Sequence, residues 1–110
     1  MARLVLRDSF VRDVDTRVAW LEGNAPVEWL QRFREGLTSV TRRIAAYPRS
    51  GTPLGVETGL VLRAKAFPGR LPYLVYYTHS SAEPIDAVYV LRLFHYRQRR
   101  TPRRLSEWPS

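Results

Sequence analysis

Arg63 and Lys65 stand two residues apart in a run with strand-like alternation, so both side chains leave one face of a sheet and could clamp a phosphate between them. Farther on, Arg92, Arg97, Arg99 and Arg100 gather around the end of a later run, with His95 and Tyr96 among them as proton-transfer groups. Metal-free cleavage of a phosphodiester needs such a set: a group that activates the attacking hydroxyl, cations that hold the phosphate, and a group that protonates the leaving oxygen. Each residue also has a plainer reading. Arg63 and Lys65 can form a solvated sheet edge, and His95 can close the last strand with a structural hydrogen bond. Arg92 lies in a strand otherwise apolar on its face, where burial demands a partner; an ion pair with an acid on the helical part of the chain is the simplest one. Zero cysteines exclude disulfides, thiolate catalysis and sulfur-ligated metals, and two histidines are too few for most zinc sites, so neither metal nor cofactor is expected.

The charge points to an anionic partner. The 110 residues carry a net +8, and only Lys65 among the 18 basic residues is a lysine. Arginine favours planar, bidentate contact with carboxylate or phosphate and stays charged. Residues 1–47 hold eight arginines against six acids, whereas residues 48–110 hold nine arginines and Lys65 against four, so the second half is the basic half. Nucleic acid, an acidic protein or a membrane surface would each complement it. No stretch approaches the roughly 20 apolar residues of a membrane span, and the N-terminus lacks an apolar segment with a cleavage site. A cytoplasmic location is therefore the expectation.

The elements that must position these residues follow from periodicity. Leu4–Leu6 is a short apolar strand, stopped by Asp8 and Ser9, either of which can cap a following helix. Phe10, Val14, Val18 and Leu21 have helical spacing, ended by Gly23 and Asn24. Pro26 suits the first turn of a second helix, in which Val27, Leu30, Phe33, Leu37, Val40, Ile44 and Tyr47 step by three or four. Residues 48–59 are a loop by composition. Alternation then marks strands at Leu60–Phe67, Tyr73–Thr78 and Ile85–Tyr96, joined by turns at Pro68-Gly69 and Ser80–Pro84. The order is β-α-α-β-β-β, an α+β domain with a mostly antiparallel sheet and a helical hairpin packed on one face. Residues 1–97 form that single domain, and 98–110 a basic tail with little to pack except Trp108, which needs a partner to bury it. Tyr73, Tyr76, Tyr77, Tyr89 and Tyr96 could pass for a base-stacking platform, but aromatics on strands facing helices belong to the core.

At this point the chain resembles a family. A short strand, a helical hairpin ending in Tyr47-Pro48-Arg49-Ser50-Gly51, and a strand with Gly59-Leu60 followed by Arg63 make up the layout of RelE/ParE toxins. Pro72-Tyr73-Leu74-Val75-Tyr76-Tyr77 and Val90-Leu91-Arg92-Leu93-Phe94-His95-Tyr96-Arg97 resemble two strands of that family, in wording closer to the ParE branch. The resemblance spans roughly residues 3–100. It implies the toxin half of a type II toxin–antitoxin pair, neutralised by an acidic antitoxin whose C-terminal segment wraps it. ParE-like toxins block DNA gyrase, without any known chemistry of their own. RelE-like toxins cleave mRNA in the ribosome with basic side chains and a tyrosine, and Tyr73 stands where RelE itself carries a phosphate-binding arginine. The residues expected to bind target or antitoxin are Arg63, Lys65, Arg70, Arg92, Arg97, Arg99 and Arg100; in a nuclease, Arg63, Lys65, His95, Tyr96 and Arg97 would be the catalytic candidates. A homodimer or a toxin–antitoxin heterotetramer is the assembly the resemblance implies. A domain of the same fold that only binds its partner or DNA is the third expectation.

Overall fold

A computed structural model of the protein describes residues 1–57, 59–82 and 86–95. The described elements are β1 (Arg3–Leu6), α1 (Asp8–Asn24), α2 (Val27–Ala46), β2 (Thr52–Glu57), β3 (Leu60–Ala66), β4 (Tyr73–Ser80) and β5 (Ala87–His95). The strands form one sheet in the order β1-β5-β4-β3-β2, antiparallel except for the β1–β5 pair, which is parallel. This is the expected α+β architecture with one strand added. Thr52–Glu57, within the segment read as a loop, pairs with β3 as an edge strand. Its composition concealed it: Pro53 and Gly55 flank a register shift, features that an edge strand tolerates and that blunt it against pairing with other chains.

Both helices face one side of the sheet. Phe10 and Leu21 of α1, and Phe33, Val40 and Ile44 of α2, share a core with Tyr73, Val75 and Tyr77 of β4 and Val88, Val90 and Leu93 of β5. Burial of each large side chain contributes roughly 1.5–3 kcal/mol. The predicted α2 stripe holds at its centre and fails at its ends, since Val27 and Tyr47 lie mostly exposed, beyond the reach of the sheet. The stripe also missed Gly36. A Cβ there would stand 2.8 Å from the Phe67 ring and 3.0 Å from Leu71, so the glycine lets the β3–β4 connection settle directly on the helix. Phe67 cannot easily retreat, because its ring packs on both Phe33 and Tyr73.

The start of α1 corrects a second expectation. Arg7 is the N-cap and no side chain caps the helix; Asp8 lies in the first turn, where the helix dipole favours an acid. Ser9 is buried and donates its hydroxyl to the Leu91 carbonyl at 2.7 Å. The reason is tertiary. β1 pairs with only the first half of β5, from Ala87 to Val90, and the backbone of Arg7 adds a last bond to Val90. The rest of that β5 edge would leave polar backbone groups bare, and α1 side chains satisfy them instead.

Candidate functional site

Asp13 joins Ser9 in that edge repair. One of its oxygens accepts the backbone N–H of Leu93 at 3.0 Å, and the two together accept the Arg92 guanidinium, at 2.7 and 3.1 Å. The predicted ion pair between Arg92 and an acid of the helical hairpin is thus present, and the acid is Asp13. Both side chains are about four-fifths buried, so this bidentate pair contributes more than a surface salt bridge does. Arg92 also stacks its guanidinium 4.9 Å from the centre of the Phe94 ring, which meets Tyr76 edge-on.

Arg63 and Lys65 lie on the helix-side face of β3, opposite Tyr77 and Val75 of β4. Arg63 turns toward the loop that follows α2. It donates to the Gly51 carbonyl at 2.9 Å and more weakly to that of Arg49 at 3.3 Å. Tyr77, fully buried beside it, donates its hydroxyl to the Pro48 carbonyl at 2.7 Å and accepts the Gly51 N–H at 2.9 Å. Burial pushes the Tyr77 phenol above its ordinary value, against the opposing pull of its hydrogen-bonding neighbours Gly51 and Ser50 and of the Arg63 charge. Gly51 is required at this point, because a Cβ would stand 2.6 Å from the Tyr77 hydroxyl oxygen and 3.0 Å from a backbone oxygen of β3. The Tyr47–Gly51 segment and Arg63, two of the most recognisable parts of the sequence, are therefore two sides of one structural clasp.

Arg70 is exposed in the turn before Leu71, five residues after Lys65, with a left-handed backbone (φ 61°). Tyr96, Arg97, Arg99 and Arg100 lie outside the described residues, as do the tail at 98–110 and Trp108. His95 is described. Its ring meets Tyr73 edge-on at 5.5 Å, and both line a cleft of about 210 Å³ between α1 and the ends of β4 and β5. Asp13, Thr16, Arg17 and Arg92 complete most of its wall.

Arg17 is the residue that sequence reasoning missed. Its guanidinium lies 5.2 Å from the centre of the Trp20 ring and 5.6 Å from that of Tyr73. Among the described residues no carboxylate pairs with it. Asp13, one helical turn earlier, is the acid an isolated helix would offer, but both its oxygens are engaged by β5. Burial raises the Tyr73 phenol above its ordinary value despite the opposing Arg17 charge, so the hydroxyl stays protonated at neutral pH and adds no negative charge. The cleft is thus lined by the Arg17 guanidinium together with Thr16, Tyr73 and His95. A guanidinium beside hydroxyl-bearing side chains has the donor chemistry that an oxyanion accepts.

No protein-family model matches the chain, and no curated protein matches it. None of the described helices is long and apolar enough to cross a membrane.

Proposed function

We propose that this chain is the toxin of a type II toxin–antitoxin pair, a ParE-like growth inhibitor that acts on DNA gyrase and is neutralised by an acidic antitoxin. One observation carries the choice of a non-cleaving mode: among the described residues, the two arginines considered for metal-free cleavage, Arg63 and Arg92, are already engaged. Arg63 holds the backbone of the Arg49–Gly51 loop, and Arg92 is neutralised by Asp13. Tyr73, at the position of a phosphate-binding arginine in the nuclease branch, is a buried core ring packed on Phe33 and Phe67. A blocking protein needs shape and charge and no acid–base pair. The net charge of +8 supports fast association with an acidic inhibitor. Purified chain added to gyrase should stop supercoiling of relaxed plasmid, and normal supercoiling at excess protein would reject this reading.

A RelE-like cleavage of ribosome-bound mRNA is the second reading, favoured by the meeting of His95, Tyr73 and Arg17 in one cleft. It expects discrete, translation-dependent cuts in transcripts after induction; growth arrest with intact mRNA would exclude it. A partner-binding domain without toxicity remains if induction leaves growth untouched.

A further inference from the structure

We propose that the cleft between α1 and the ends of β4 and β5 receives a single acidic side chain of a protein partner, gripped by the Arg17 guanidinium. The proposal rests on reading the chain as one that binds an acidic inhibitor, and it names where one anchor of that inhibitor sits. Four observations lead to it. The Arg17 charge has no carboxylate among the described residues, since the acid one helical turn earlier, Asp13, is engaged by Arg92 and by the Leu93 N–H. That engagement also neutralises the one acid in the cleft wall, which would otherwise repel an anion. Contact with the Trp20 and Tyr73 rings restrains the guanidinium in advance, so less freedom is lost when its N–H fork meets a carboxylate. Trp20 is 51% exposed beside it, which completes the Trp, Tyr and Arg combination that anchors protein interfaces.

Size selects the occupant. At about 210 Å³ the cleft falls below the ~300–1,000 Å³ typical of sites that enclose a whole small ligand. A glutamate or aspartate enters on a slim methylene stem and leaves its backbone outside, where a neighbouring apolar residue can lie on Trp20. A backbone phosphate carries a sugar on either side and suits a longer groove better than this small cleft.

The test uses the full chain, labelled with nitrogen-15, and three probes: a short synthetic peptide alternating glutamate and leucine, its glutamine counterpart, and a short oligothymidylate. The glutamate peptide should shift the side-chain resonances of Arg17 and the indole of Trp20. Its affinity should fall about tenfold or more on Arg17→Gln, and by a similar factor when its glutamates are replaced, as expected for the loss of a charge-assisted hydrogen bond. Arg17→Lys, which keeps the charge and loses the planar fork, should fall in between, and Arg42→Gln on the outer face of α2 should bind as the parent does. Urea unfolding of each variant separates lost binding from lost folding. Equal binding of the glutamate and glutamine peptides, shifts centred on the exposed side of α2 around Arg42 and Tyr47, or tighter Arg17-dependent binding of oligothymidylate would each overturn the proposal. The two readings fail separately. A chain that leaves growth and gyrase untouched but grips the glutamate peptide through Arg17 defeats the toxin reading alone. A growth-arresting chain whose peptide binding ignores Arg17→Gln defeats the cleft alone.

Discussion

On the β2–β3 side of the sheet, Arg63 donates to two carbonyls of the loop after α2, beside a fully buried tyrosine that bonds two more groups of the same loop. On the β5 side, Arg17 lies over two rings with no carboxylate among the described residues, because the acid one turn away serves the strand edge. Both residues are arginines close to a tyrosine that faces the helices. They differ in what the backbone nearby leaves unsatisfied. The loop after α2 offers free carbonyl oxygens, so Arg63 becomes a tie. The edge of β5 offers a free N–H and a buried arginine, so Asp13 is drawn away and Arg17 stays available. Cationic side chains in a basic protein thus sort into structural and receptive groups by the acceptors around them, and charge alone does not reveal which is which.

The sharpest way to break this contrast is to remove Asp13. Asp13→Ala removes the carboxylate from Arg92 and the acceptor from the Leu93 N–H together, and should cost about 3 kcal/mol in urea unfolding. Asp13→Asn retains an acceptor for the N–H and should cost distinctly less; equal losses for the two would mean that the charge of Asp13 does not matter. The clasp is tested next. Tyr77→Phe leaves the Pro48 carbonyl and the Gly51 N–H without their partner, and about 2 kcal/mol should be lost. A loss near zero would show that the loop is held by Arg63 alone.

The same substitution carries a signature at high pH. The folded-state values of Tyr73 and Tyr77 are raised above the ordinary 10.0, so the folded protein holds these protons more tightly than the unfolded chain does. Their contribution is full below pH 10.0 and is lost as pH climbs through the raised folded values. Stability should therefore drop on the alkaline side, and Tyr77→Phe should make that drop shallower. An identical alkaline slope in parent and variant would count against a buried, protonated Tyr77.

Smaller effects sharpen the comparison further. Gly36→Ala gains helix propensity but drives a Cβ into the Phe67 ring, and the net should be a loss of about 1 kcal/mol. Lys65→Gln, on the same strand face as Arg63 but with no hydrogen bond or ion pair among the described residues, should change stability by less than about 0.5 kcal/mol. If Lys65→Gln proved as costly as Tyr77→Phe, the division of β3 into one tied and one untied cation would be wrong.

Much of the fold was legible in the chain before any coordinates. Phe33, Val40 and Ile44 have only one helical reading, and the alternation from Leu60 onward has only one strand reading, because each spacing puts the apolar side chains on a single face. An acid paired with Arg92 was also legible, since a guanidinium in an apolar strand demands one. Its identity was not, because Asp13 lies 79 residues away and only the register of α1 along the β5 edge selects it. β2 was hidden by its proline and glycine, which are acceptable there only because the strand turned out to lie at the edge. Arg63 read as a receptor for phosphate and Arg17 did not stand out at all. Local spacing fixes which face a side chain leaves. Which acceptors wait on that face depends on how distant segments meet, and the tertiary structure alone decided that Arg63 is tied down and that Arg17 looks into a cleft.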